Sequence, residues 1–253
     1  MNLHNLFKSL CDNEYCSSKD DFFSIDNNTS CRYDKNDIEF VVSYFSGAFN
    51  KSLLDACMRL FYELSFNAFD ILLHAWLSDL PVEKEIFSFG TGLLNACQNQ
   101  KNKQRIAERI ITDRSDSDTR IVLKAAGKTG HEAHRMMGLL RFSPDCNGRF
   151  TAVCEPDHFI LPCLGVFFSS RFGEEEWSIL DKKRNLLLSR SSGERAKITV
   201  LSGSNFSEKD KKTDEWETLW KHYHRTINNE ERNNPGLQRQ LMPKRYWKYL
   251  PEK

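Results

Sequence analysis

Residues 155–158 read Glu-Pro-Asp-His, placing two carboxylates and an imidazole in four positions. Such a group can hold, donate or accept a proton near neutral pH, with the imidazole titrating closest to it. Glu155, Asp157 and His158 are therefore candidates for a general acid, a general base or a water-positioning group. The same residues have an ordinary reading. Glu155 precedes a proline and should be extended, and Asp157 is placed to cap a helix over about 160–171. A second acid–imidazole segment, His131-Glu132-Ala133-His134, supplies His134 as a further catalytic candidate. Its histidines stand three apart rather than at the four-residue step of a helical zinc pair, Glu132 falls on another face, and no cysteine pair lies nearby. Neither a metal nor a cofactor is expected.

Two basic segments point to a different chemistry. Over 120–140 a helical pattern puts Val122, Ala126, Thr129, Ala133, Met136 and Leu140 on one face and Arg120, Lys124, Lys128, His131 and Arg135 on another. A row of cations can follow the phosphates of a nucleic-acid strand, although a solvated helix face looks the same in sequence. Gly127 and Gly130 each cost such a helix about 1 kcal/mol relative to Ala, so a close approach to the backbone is expected there. From Lys221 to Lys253 eight Lys or Arg face only Glu230, Glu231 and Glu252, and Tyr246 and Trp247 are interleaved with Lys244, Arg245 and Lys248. Cations beside aromatic rings suit phosphate contact with base stacking. The alternative is that the rings pack on the body while the cations stay in water. Arg135, Arg141, Lys244, Arg245, Tyr246 and Trp247 are the nucleic-acid candidates.

Two apparent nucleotide loops fail. Gly127-Lys128-Thr129 has Val122 where a phosphate loop needs glycine, and Gly90-Thr91-Gly92 lacks a third glycine and a preceding parallel strand.

The elements that must position these residues follow from periodicity. Residues 1–36 are polar and read as an irregular N-terminal extension, and 37–253 as one main α+β domain. A strand is expected over 38–45, helices from 52 to 81, over 93–112 and from Asp116 to about 140, and short strands over 149–154, 177–180, 186–189 and 197–201. Turns at Lys183-Arg184-Asn185 and Ser191-Ser192-Gly193 suit a meander, giving a small, mostly antiparallel sheet covered by several helices. A last amphipathic helix begins near Asp214, with Trp216, Leu219, Trp220, Tyr223 and Ile227 as its apolar stripe.

Composition bounds the function classes. A net charge of +1 over 253 residues excludes a globally basic chain, so any polyanion-binding surface must be local. Eight cysteines are too dilute for a disulfide scaffold. Cys57, Cys97, Cys154 and Cys163 read as buried thiols, and Cys11, Cys16 and Cys31 as free ones. Without a leader-like apolar run or a membrane-length segment, a cytoplasmic protein is expected, with no membrane partner.

Glu132-Ala-His134-Arg135-Met136, Leu140-Arg141-Phe142, Glu155-Pro156-Asp157-His158, Arg171-Phe172, Trp177 and the run from Asn234 to Trp247 also resemble a group of bacterial proteins over residues 38–252. These are described as DNA-metabolism or DNA-repair proteins of unknown function. The resemblance implies association with a radical-SAM protein of DNA modification or repair, and related domains are fused to uracil-DNA glycosylase-like domains. This chain has no CxxxCxxC motif, so it would be the partner and not the radical enzyme. The resemblance also implies that 132–135 and 155–158 share a site. Three functions are expected from this: a DNA-binding accessory protein, an enzyme acting on a base or glycosidic bond, or a protein-interaction subunit without DNA contact.

Overall fold

The computed structural model describes residues 60–145, 148–201, 215–227, 229, 231 and 234–251. The expected extension over 1–36, the strand over 38–45, the first residues of the helical stretch from 52, and Cys11, Cys16, Cys31 and Cys57 lie outside the described residues. The chain is α+β and clusters into two compact units divided between His131 and Glu132.

The first unit is helical, with α1 Phe66–Trp76, α2 Glu83–Cys97 and α3 Lys103–Thr112. Ser65 caps α1, its Oγ accepting from the amide of Ala68 at 3.2 Å and donating to Glu108 Oε1 of α3 at 2.6 Å. Glu108 also accepts from Asn67, so a carboxylate lies against the positive end of α1. Phe69, Leu73, Leu93 and Ala107 meet in the core. The single helix expected over 93–112 is two: Leu93 and Leu94 complete the buried face of α2, and the chain turns at Asn99, which takes a left-handed φ of 58°. Asparagine tolerates that conformation better than most residues, and the polar run Gln98–Asn102 offers no apolar face to continue the helix.

Helix α4, Ser117–Leu139, starts where expected. Asp116 Oδ2 accepts from the amide of Thr119 at 2.7 Å, and this hydrogen bond, first among several, holds the Asp116 carboxyl below its ordinary pKa. Val122, Ala125, Ala126 and Thr129 are buried, and Ala133, Met136 and Leu140 continue that face. Both rejected nucleotide loops lie inside helices, Gly90 to Gly92 in α2 and Gly127 to Thr129 in α4.

The second unit is built on a five-stranded sheet in the order β1 to β5: Ser143–Pro144, Phe150–Cys154, Trp177–Asp181, Leu186–Arg190 and Lys197–Val200. All neighbours are antiparallel except β2 and β3, which run parallel in register from Phe150↔Trp177 to Cys154↔Asp181. Helix α5, Leu161–Phe172, makes that crossover and packs on β3 and β4. Both expected turns form: Asn185 takes φ 57°, and Glu194 donates its amide to the carbonyl of Ser191 at 3.0 Å. Phe142, Phe150, Phe168, Phe172 and Trp177 form one aromatic cluster between α5 and the sheet, with ring centroids of Phe142 and Phe172 4.8 Å apart. Three of those rings belong to the recognisable sequence segments, so their types answer to packing.

Helices α6, Glu215–Ile227, and α7, Pro235–Leu241, precede a 3-10 helix at Lys244–Tyr249. Leu219, Trp220, Tyr223 and Ile227 of the apolar stripe on α6 are exposed, and the Arg141 guanidinium lies 5.8 Å from the centroid of the Trp220 ring.

Candidate functional site: a carboxylate clasp and an open cationic face

The segment 155–158 leaves the end of β2, beside the end of its parallel neighbour β3, where α/β sheets commonly carry their sites. Three elements hold it. From α4, the buried carboxylate of Glu132 accepts the amide of Asp157 at 2.9 Å and that of His158 at 2.7 Å. The hairpin turn between β3 and β4 adds Arg184, which donates to the carbonyls of Pro156 at 3.2 Å and Asp157 at 2.7 Å, and Lys183, which donates to the carbonyl of Asp157 at 2.6 Å. The 3-10 helix closes the arrangement. Tyr246 donates its hydroxyl to Glu132, and Arg245 donates to Glu132 at 3.3 Å while pairing with Asp157 at 2.6 Å. Lys248 and Tyr249 both reach Glu155 at 2.5 Å.

Glu132 is 3% exposed and meets two amides, a phenol and a guanidinium, which together replace the water a buried carboxylate loses. Burial, followed by the bond to Glu132, pushes the Tyr246 hydroxyl well above its usual range, so it remains a donor. For Arg245, burial opposes the charged form, but Tyr246, Asp157 and Glu132 outweigh it and raise its pKa. The bonds from Lys248 and then Tyr249 lower the Glu155 pKa, holding it ionised. Asp181, fully buried at the end of β3, has its pKa raised by desolvation despite Arg184 at 3.0 Å, and its other oxygen fixes the turn through the amides of Lys183 and Arg184. Cys154, buried beside it, is pushed up by desolvation and then by Asp181, which leaves a protonated, unreactive thiol.

The segments 132–135 and 155–158 meet, but through Glu132 and not through the histidines. His134 is exposed and makes no hydrogen bond or ion pair with any described residue, whereas His158 is buried with its amide on Glu132. Asp157 does not cap α5. That helix starts after Ile160 with no side-chain cap and with Pro162 in its first turn, so Asp157 is left to pair with Arg245. Glu132, Arg184, Lys183, Lys248 and Tyr249 are site residues that motif reading passed over. A signal for Glu132 existed: three residues after Thr129 and four before Met136, it belongs to the buried side of α4, where a lone carboxylate must find donors.

The nucleic-acid candidates divide. Tyr246 is 1% exposed and serves as a core anchor, so it presents no face for stacking. Trp247 is half-buried and donates to the carbonyl of Met242 at 2.9 Å, with Lys244 exposed 6.0 Å from its ring. Arg245 is committed to Glu132 and Asp157. Arg141 closes the end of α4 through the carbonyls of Gly138 at 2.8 Å and Leu140 at 3.3 Å. On α4 the situation is reversed. Arg120, Lys124, Lys128 and His131 are exposed and Arg135 is half-buried, and none forms an ion pair with a described residue. The helix has only two carboxylates, Asp118 in its first turn and the buried Glu132. Among the described residues no cluster of three His, Cys, Asp or Glu could hold a metal ion, and no helix is long and apolar enough to cross a membrane.

Residues 93–252, more than half of the chain, match a family model described as a domain of unknown function, DUF4130. The chain belongs to the DUF4130 family. No curated protein and no solved structure matches it. The DUF4130 match takes in α4, residues 155–158 and the 3-10 helix, so both the clasp and the cationic face fall inside it.

Proposed function

We propose that this DUF4130 protein binds nucleic acid through the exposed face of α4 and serves as an accessory factor in DNA metabolism. The observation that carries the reading is the run Arg120, Lys124, Lys128 and His131: exposed, spaced by three or four residues, and forming no ion pair with a described residue. In a chain of net charge +1, a surface that mixes signs is the ordinary solution, so three exposed cations of one sign in a row, Arg120, Lys124 and Lys128, favour a polyanionic ligand. Association with a radical-SAM protein in the cytoplasm, implied by the sequence resemblance, belongs to the same proposal, and co-purification of the two proteins tests it.

The enzymatic alternative has less support. Glu155 already accepts from Lys248 and Tyr249 and is held ionised, so it is poorly suited to donate a proton near neutral pH. Asp157 is paired with Arg245, and His134 stands on the solvent side of α4. These are the arrangements of a joint that fixes a loop.

The deciding experiment measures binding of the purified full chain to single- and double-stranded DNA between roughly 50 and 200 mM salt. Affinity should fall steeply as salt rises. Absence of any salt-sensitive binding, alone or with the radical-SAM protein, would overturn the proposal.

A further inference from the structure

The cationic face contains a glycine that the fold does not require. Gly127 sits in the interior of α4, where glycine costs about 1 kcal/mol relative to Ala. It is exposed, its φ is not left-handed, and a Cβ built on it would meet nothing within 4 Å. Gly130, one turn later, differs: a Cβ there would come within 3.6 Å of the His74 ring of α1. A Cβ at 130 would thus make an ordinary contact, whereas 127 faces open space. On the helix surface Gly127 is flanked by Lys124 and His131, its neighbours at three before and four after.

We infer that Gly127 is the seat of a backbone phosphate and that the nucleic acid this face takes is a double helix. The inference rests on the nucleic-acid reading above and adds the form of the ligand and its point of closest approach. Without a side chain at 127, an anionic oxygen can approach the helix surface between Lys124 and His131, with Lys128 reaching in from the adjoining face. Arg120 extends the row, which spans about 16 Å from Arg120 to His131 at the helical rise.

The choice of duplex follows from what α4 lacks. Residues 117–139 contain no Phe, Tyr or Trp, so beyond the small imidazole of His131 the face offers no ring on which unpaired bases could stack. Binders of single strands depend on such rings, with about 1–3 kcal/mol per stacked base. A duplex presents its phosphates outward with the bases already stacked, and long flexible cations suffice to hold it. The opposite face of α4 is buried through Val122, Ala125, Ala126 and Thr129, so the helix can lie against a strand of phosphates but cannot be surrounded by nucleic acid.

The test uses the full chain with a duplex of about 20 base pairs and one of its strands as probes, at fixed moderate salt. The wild type should prefer the duplex by about tenfold in Kd. Gly127→Ala and Gly127→Leu should both raise the melting temperature, because either residue favours the helix. They should also weaken duplex binding, several-fold for Ala and about tenfold or more for Leu. Equal or tighter binding of the single strand, or wild-type duplex affinity in a folded Gly127→Leu, would overturn the inference while leaving nucleic-acid binding intact. Binding of neither probe by the wild type would remove the underlying reading as well.

Discussion

The 3-10 helix Lys244–Tyr249 and the helix Ser117–Leu139 are both basic, and in sequence both look like surfaces for a polyanion. Their cations have opposite fates. Arg245 and Lys248 are each bound to a carboxylate of their own unit, Tyr246 is buried, and Lys244, exposed beside the Trp247 ring, is the one cation of the three without an ion pair to a described residue. On the long helix, Arg120, Lys124, Lys128 and His131 form no ion pair with a described residue. Local basicity is thus no guide to a binding surface until the partner of each charge is known. The first region uses charge to lock a loop, and the second leaves it available to a ligand.

The largest effect that would sharpen this contrast is expected at Glu132. Glu132→Ala leaves two amides, a phenol and a guanidinium without their acceptor, and should cost about 3–5 kcal/mol in denaturant unfolding. Because the long helix keeps its cations, DNA affinity measured under folding conditions should be unchanged. A loss of binding in folded protein would break the separation of roles. Tyr246→Phe removes one of the four donors to Glu132 and should cost about 1–3 kcal/mol in the same measurement.

Acid sensitivity should come next. The Glu155 pKa is depressed in the folded protein, by Lys248 first and Tyr249 second, so its contribution is present above the ordinary carboxylate pKa near 4.3 and is lost as pH falls toward the depressed value. Glu155 is partly exposed, so the effect is modest. Lys248→Met with Tyr249→Phe should flatten the stability profile between about pH 5 and 3, and an unaltered profile would mean that these bonds contribute nothing in solution. The smallest stability change belongs to the open face: Lys124→Ala and Lys128→Ala should each shift unfolding by no more than about 0.5 kcal/mol.

Much of this architecture was legible in the sequence. The strands over 149–201 and the helix capped by Asp116 follow from alternation, turn residues and a single good cap, all of which are local signals. The break at Asn99 was hidden because apolar residues on both sides keep a helical step. At the candidate site, proximity of 132–135 and 155–158 was expected, but the residue that joins them was not. Histidine attracts attention as chemistry, yet His134 faces solvent, and the linking group is the carboxylate of Glu132 on the buried side of the helix. The exposure of Leu219, Tyr223 and Ile227 was equally illegible, since an amphipathic stripe records a capacity for burial and not what covers it.

The separation of the two basic regions is tested most directly by the slope of log Kobs against log salt for duplex DNA. Replacing Arg120, Lys124 and Lys128 with Ala should reduce its magnitude by about 0.9 for each phosphate no longer neutralised, close to three in all. Replacing Lys244 and Lys248 should leave the slope within error of the wild type. A slope that survives the triple replacement and collapses when Lys244 and Lys248 are replaced would contradict the assignment.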